Sequence, residues 1–349
     1  MNAHLAGIGG SIRVGGETLQ LEGLRPSEAK GCLDPAVTKS LELAQALIPL
    51  DDSAESEAMS RALKTLEKSW SRVDSFSQFQ HGVKQLQRGK QDLAIWVTGW
   101  RKPSGHAVGI VAAKEGDKLA VYLCNPGDLR ADRSITRCEV SDPGAFDQWM
   151  SSARRDPDGS MVRGLWAKGP GFAGLKSSQP LPEEVDRIGQ KRGNCPIASR
   201  KSCLLAGLWA TMKPQGMSDA TTKQTYKVLT TLLRQEGVSG ILQDGNPDAL
   251  KKTLRAMISK ADRPDCLRMA YRVADALADQ NGILPLEASY DRLSASELQS
   301  ESYLSHLKNV VKAAGVDITS PSEDGLTLKK RAELQGRDPI VTMLKFLEH

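Results

Sequence analysis

Apolar side chains recur at helical spacing in the first third of the chain, over residues 54–70. The stripe consists of Met59, Leu63, Leu66 and Trp70. Positions three, four and seven apart share one side of an α-helix, so the spacing predicts an amphipathic helix whose stripe contributes to a core. Asp52 or Ser53 supplies a side chain of the kind that caps the start of such a helix.

Three shorter segments that follow are rich in β-branched, aromatic and small apolar residues, which are typical of strands. They are residues 92–100, 107–113 and 119–124. The dipeptide Gly116-Asp117 lies at the centre of the connection between the last two, and a glycine there is typical of a tight hairpin turn. Three strands in succession with short connections predict an antiparallel meander.

The rest of the chain divides by its pattern. Residues 1–50 begin with a segment rich in Gly and Ala and are expected to form a flexible N-terminal segment. Residues 51–215 hold the strands and are predicted to form an α+β domain, with loop-like character over 155–190. Residues 216–349 show helical spacing and predict a separate helical domain. Its end, 324–347, loosely follows the ankyrin pattern. A single ankyrin unit cannot bury its own apolar face, so the alternative is a plain pair of helices that closes the domain.

Composition and charge exclude several classes of function. The net charge of +5 is spread along the chain and no basic stretch is interleaved with aromatic residues, so no nucleic-acid partner is expected. No apolar run reaches the roughly 18 residues of a membrane span, and residues 1–10 lack the features of an ordinary secretory signal peptide. The six cysteines form no Cys-x-x-Cys pair and histidine is scarce, so no metal or other cofactor is expected.

The strongest chemical signal is Cys195, which is followed by Pro196 and by a helical pattern that runs to Met212. Proline suits the first position of a helix, so the cysteine is expected at the helix start. The positive end of a helix, together with nearby Lys191 and Arg192, stabilises a thiolate. The alternative is a buried structural thiol, because free cysteine is often buried.

A thiolate nucleophile needs a base, and His106 is the histidine best placed to serve. The other four lie at the termini, after the first long helix or on a distal helix. With the predicted turn, Asn125 faces Val108 across the hairpin, so Asn125 and Asp128 lie beside His106 at its open end. Either of them can accept a hydrogen bond from the imidazole and fix its tautomer, as the third group of a triad does.

Gln190 precedes Cys195 closely, and its side-chain amide can donate to an oxyanion together with the backbone N–H of the cysteine. This set of residues resembles the site of the circularly permuted papain-like cysteine enzymes, in the order His106, Asn125 or Asp128, Gln190, Cys195. That group includes the ubiquitin-like-protein proteases, effector deubiquitinases of the SidE type and the YopJ-type acetyltransferases. The resemblance covers roughly residues 57–212.

The resemblance implies an α+β fold with a papain-like core, a small antiparallel sheet and a helix that opens on the nucleophile. It implies a hydrolase that forms a thioester at Cys195 with a protein substrate, such as ubiquitin or a ubiquitin-like protein. It also implies a secreted bacterial effector that acts in the host cytoplasm. Two other classes stay open. One is an acyltransferase with the same triad, and the other is a non-catalytic protein that binds partners through its helical region.

Overall fold

The structure of the chain is a computed structural model. It describes residues 5–6, 11–14, 17–20, 26–49, 53–70, 73, 75–100, 105–125, 127, 134–177, 181–182, 195–286, 289–321 and 325–348, and gives no account of the side chains of 11–32 and 195–196. The chain divides into two compact units. One comprises residues 22–233, and the other comprises residues 1–21 and 234–349.

The strands are β1 (Ser11–Val14), β2 (Glu17–Gln20), β3 (Leu93–Trp100), β4 (His106–Glu115), β5 (Lys118–Cys124), β6 (Ile135–Val140) and β7 (Leu175–Ser177). The helices are α1 (Pro26–Ala46), α2 (Ala54–Trp70), α3 (Phe76–Gln87), α4 (Pro143–Ala153), α5 (Ser160–Ala167), α6 (Cys195–Met212), α7 (Asp219–Asp244), α8 (Pro247–Ile258), α9 (Pro264–Gln280), α10 (Ala295–Leu298), α11 (Glu301–Ala313), α12 (Leu328–Leu334) and α13 (Asp338–Glu348). The predicted mixed α+β class is therefore confirmed.

Strands β3 to β7 form one antiparallel sheet in the order of the chain. In the β4–β5 hairpin Glu115 pairs with Lys118 and Gly109 pairs with Cys124, which confirms the predicted two-residue turn and its register. Gly116 begins that turn with a φ of 60°, which favours glycine. β6 and β7 extend the predicted three-stranded meander. β6 has half-buried residues at four of its six positions, without strict alternation, and β7 has three residues, so neither gives a strong local signal.

One face of the sheet, called the α3 face here, packs against α3, α4 and α5. The strands contribute alternate residues to this layer, such as Trp96, Ile110 and Leu123. The helices contribute large side chains that include Phe79 and Phe146. Each such side chain contributes roughly 1.5–3 kcal/mol when it is fully buried. This layer fixes the strand register, because a slip of one residue would turn every apolar side chain to the other face.

The opposite face, called the α6 face here, packs against α6 through glycines that allow close approach. A Cβ added at Gly109 of β4 would lie 1.9 Å from the sulfur of Cys203 and 3.5 Å from the carbonyl oxygen of Ser199. A Cβ added at Gly207 would lie 2.5 Å from Leu66 and 3.3 Å from Leu93. Because glycine has no side chain at these two positions, α6 can pack close to the sheet.

The substitution Gly109→Ala is expected to lower the free energy of unfolding by about 1–3 kcal/mol, because overpacking forces α6 away from β4. The substitution Cys203→Ala removes the sulfur that the new Cβ would meet. The double variant should therefore recover part of the loss, with a favourable coupling of about 0.5–3 kcal/mol in urea denaturation. If the changes in the free energy of unfolding of the two single variants simply add, Gly109 is not needed to accommodate the Cys203 side chain.

A helix occupies much of the segment that the sequence predicts to be flexible. α1 buries Leu33, Val37 and Leu41 and packs against α2 and α6. Its sequence includes Pro35 and has a weak apolar stripe, so local propensity alone does not indicate a helix. Tertiary packing on α2 and α6 supplies the stabilisation that the isolated segment lacks.

The two units divide inside a continuous helix. α7 runs from Asp219 to Asp244, and the division falls between Leu233 and Arg234. The sequence predicts the boundary after residue 215, where the structure has a short 3-10 turn before α7 begins. Proline and glycine mark a turn locally, whereas a division within a helix leaves no such signal.

Part of the segment predicted to be loop-like is helical. α5 covers Ser160–Ala167 and buries Val162 and Leu165 on the α3 face. Its N-cap is Gly159, at a φ of 74°, and no side chain caps the helix. A two-turn helix without a side-chain cap gives little sequence signal, so the loop-like prediction is wrong over these residues.

The unit of residues 1–21 and 234–349 holds the β1–β2 hairpin and helices α8 to α13 around one apolar core. α12 and α13 pack against each other where the ankyrin-like pattern lies, and this contact alone fits either prediction for the end of the chain. Among the described residues, no helix has the length and apolar character needed to cross a lipid bilayer.

Candidate active site

A buried histidine–asparagine pair lies where β4 begins and β5 ends. His106 is the first residue of β4, and Asn125 directly follows β5. The imidazole Nε2 lies 2.8 Å from Asn125 Oδ1. The two residues are 8% and 1% exposed, so the pair is held away from water. The hairpin register brings together these two residues, as the sequence predicts.

The pattern of hydrogen bonds fixes which imidazole nitrogen carries the proton. The backbone N–H of Gly127 donates to Asn125 Oδ1 at 3.1 Å, which identifies that atom as the amide oxygen. An amide oxygen only accepts, so His106 Nε2 must be the donor. In the neutral imidazole the proton is then on Nε2, and Nδ1 carries the lone pair that can accept a proton.

An indole ring covers the imidazole. Trp100 pairs directly with His106 across β3 and β4, and the two ring centroids are 5.0 Å apart. Trp166 of α5 packs on the same indole, with centroids 5.9 Å apart. These rings restrict the imidazole and exclude water, which strengthens the bond to Asn125. The indole N–H of Trp100 is buried and has no partner within the described part of the chain.

The backbone holds Asn125 in place from the neighbouring strand. Its N–H donates to the carbonyl oxygen of Ser134, at 2.8 Å, just before β6 begins. Ser134 is itself buried. The sequence gives no sign of this contact, or of the packing of Trp100 against His106, because both depend on pairing between strands.

Helix α6 begins at Cys195, as the sequence predicts. Ser199 and Cys203 lie over Gly109, and Gly207 lies near Leu93, which pairs with Ala113 further along β4. α6 therefore runs in the same direction as β4. From Gly109 back to the first residue of β4 is about 10 Å, and from Ser199 back to the first residue of α6 is about 6 Å.

Cys195 thus begins its helix at the end of the sheet where His106 lies. The imidazole, however, points to the α3 face, with Val108 and Ile110, whereas α6 covers the other face. A contact between the cysteine sulfur and Nδ1 would have to pass around the start of β4. The Cys195 side chain, Gln190 and Asp128 lie outside the described residues, so their predicted roles stay predictions.

A buried ion pair, which sequence analysis missed, anchors the second turn of α6. Arg200 donates to both carboxylate oxygens of Asp34 on α1, at 2.6 Å from Nε and 3.1 Å from Nη2. The two side chains are 4% and 15% exposed. The residues are 166 positions apart, so no local pattern could indicate the pair. It ties the helix that begins at Cys195 to α1.

Four cysteines with described side chains lie in the protein interior. Cys124, Cys138, Cys203 and Cys266 are all buried, and none of these four forms a disulfide. Burial raises the pKa of Cys138 to about 11, and burial also raises the pKa of Cys266. These two side chains therefore stay protonated and unreactive at neutral pH. Among the described residues, no three His, Cys, Asp or Glu side chains come together in a way that could hold a metal ion.

These buried acids predict a loss of stability in alkali. Burial raises the pKa of Cys138, Tyr122 and Tyr290 above the ordinary range. The folded state then holds protons that the unfolded chain releases between about pH 8.5 and 10. The stabilisation of the folded state by these protonated groups is complete below about pH 8.5 and decreases as the pH rises toward 11. Urea denaturation should give a smaller free energy of unfolding at about pH 10.5 than at about pH 7.5. A constant value would contradict this.

Comparison with protein-family models, with curated proteins and with solved structures gives no match to this chain. The mixed α+β class follows from the structure itself, with its five-stranded antiparallel sheet flanked by helices. The papain-like topology of the core stays a prediction from the order of the site residues.

Proposed function

We propose that the chain is a cysteine hydrolase with a papain-like core, and that it acts on a protein substrate through a thioester at Cys195. The observation that carries this proposal is the buried pair of His106 and Asn125. The pair fixes one imidazole tautomer, and it lies at the end of the sheet where α6 begins.

In the proposed reaction, His106 Nδ1 takes the proton from the Cys195 thiol, and the thiolate attacks the carbonyl carbon of the scissile bond. The carbonyl oxygen becomes an oxyanion, for which the Gln190 side chain and the backbone N–H of Cys195 are donors. The leaving amine takes the proton from the imidazolium as the thioester forms. Water then gives a proton to the imidazole, attacks the thioester and releases the carboxylic acid and the thiol.

Two features of the described residues support this assignment. Asn125 holds the imidazole plane without competing for Nδ1, which makes no hydrogen bond to a described residue. The indole of Trp100 packs against the imidazole from the neighbouring strand and restricts its rotation. The proposal also requires the sulfur of Cys195 to approach His106 Nδ1 around the start of β4.

The proposal is tested with a panel of ubiquitin and ubiquitin-like proteins that carry a C-terminal electrophile, read by intact and peptide mass spectrometry. We expect an adduct on Cys195, with none on the buried Cys138 or Cys266. Matched samples of Cys195→Ser and His106→Ala should show no adduct. The proposal fails if no probe reacts, or if the label falls on another cysteine and persists in Cys195→Ser.

A further inference from the structure

A strongly basic pocket lies at the other end of the sheet from His106. It is an open concave space of about 250 Å³, lined by α2, α3, the turn that follows α3 and the start of β3. Its lining includes the cationic residues Arg61, Lys64, Lys68 and Lys90 together with His81, and Asp92 is the one acidic lining residue among the described residues. From Ile95 in its wall to Trp100, which pairs with His106, is about 17 Å along β3. The pocket is therefore separate from the candidate active site.

Helical spacing concentrates the positive charge on one side of α2. Arg61, Lys64 and Lys68 are three, four and seven positions apart, so their side chains project from the same side into the pocket. Like charges at these spacings repel and destabilise a helix. Within the described part of the chain, Arg61 and Lys64 make no ion pair that would offset the repulsion.

The second wall adds charge and hydrogen-bond donors. Lys90, in the turn after α3, also makes no ion pair to a described residue. Thr65 on α2 and Gln78 on α3 line the same space and can donate hydrogen bonds. A concave site with converging cations, neutral donors and little opposing charge favours a compact anion.

The wall of the pocket is rigid. Gly82 of α3 meets β3 so closely that an added Cβ would lie 2.8 Å from the Cβ of Ala94. The Ser69 hydroxyl of α2 donates to the carbonyl oxygen of Leu93 at 3.1 Å, which ties that helix to the same strand. The helix backbones that carry the pocket lining are therefore both fixed to the start of β3.

We infer that this pocket binds the phosphate group of a small phosphorylated molecule. A phosphate dianion matches an arginine fork and point-charge lysines, and it fits a concave space of this size better than the backbone of a nucleic-acid duplex does. The inference does not depend on the proposed chemistry at Cys195, because the two sites share no residue.

The test uses isothermal titration calorimetry on the full chain with inorganic phosphate and with pyrophosphate, at constant ionic strength. We expect saturable binding of one anion per chain. Arg61→Glu and Lys64→Glu should each weaken binding by about tenfold or more, since each removes a charged partner and adds a repulsive one. Lys84→Glu is the matched control, because Lys84 is exposed on α3, does not line the pocket and gives the same change in net charge. It should leave the affinity unchanged.

Three results would overturn the inference. One is the absence of saturable binding of both anions up to about 10 mM, which is weaker than any useful affinity for a small ligand. Another is an equal loss of affinity in Lys84→Glu, which would show a diffuse charge effect without a site. Circular dichroism of each variant confirms that the fold is retained. Displacement of bound phosphate by a single-stranded oligonucleotide with a steep salt dependence would also overturn it in favour of nucleic acid.

Discussion

Replacing His106 with alanine is expected to lower the rate of the covalent step at Cys195 by roughly 100- to 10,000-fold. The imidazole is the base that generates the thiolate and the acid that protonates the leaving group, so its loss affects both halves of the reaction. The measurement is the rate of adduct formation, or of turnover, with whichever probe or substrate labels the wild-type cysteine. A variant that keeps its rate to within about tenfold would rule out His106 as the base.

Asn125→Ala is the companion variant, and it should cost less than His106→Ala. The amide orients the imidazole but carries no charge to stabilise the imidazolium. Asn125→Asp is the opposite change. It keeps the oxygen acceptor that His106 Nε2 uses and adds the negative charge that the amide lacks. If Asp128 is the true third member, the ranking reverses, with Asp128→Ala severe and Asn125→Ala mild.

Removal of the carboxylate of Asp34 is expected to lower the free energy of unfolding by about 3–5 kcal/mol. The guanidinium of Arg200 is 4% exposed, and Asp34→Ala would remove the carboxylate that its Nε and Nη2 reach. The loss of a carboxylate beside a buried charge is far more costly than the loss of a surface ion pair. The free energy of unfolding from urea titration measures the effect.

The double variant Asp34→Leu, Arg200→Met separates the cost of removing only the carboxylate from the value of the whole ion pair. Apolar residues of similar size can replace a buried ion pair at little cost. The double variant should therefore be more stable than Asp34→Ala. A loss below about 1 kcal/mol in Asp34→Ala would show that the pair behaves like a surface ion pair.

The parts of the fold that the sequence predicts are those with a strong local pattern. The stripe over residues 54–70 gives α2, and the hairpin turn at Gly116 and Asp117 gives the β4–β5 register. That register alone brings His106 beside Asn125. Side chains alternate between the two faces of a strand, and a two-residue turn fixes which residues pair. Together these constraints leave few possible registers.

The parts that could not be predicted depend on contacts between distant segments. α1 gains its stability from α2 and α6, and the anchoring of α6 depends on Asp34, far away in the sequence. The sequence also could not show that His106 and α6 lie on opposite faces of β4, because that depends on which face α6 covers. The cations of the basic pocket come from α2 and from the turn after α3, and only the fold assembles them.

The central claim, that His106 activates Cys195, is tested most directly by the pH dependence of Cys195 alkylation in the wild type and in His106→Ala. Iodoacetamide labelling is followed at this one residue by peptide mass spectrometry, with Cys138 as the buried internal reference. The account predicts a wild-type rate that stays high below about pH 7, and a His106→Ala rate that rises only above about pH 8, as for an ordinary thiol. Superimposable profiles for the two proteins, or a wild-type rate that rises only above about pH 8, would contradict it.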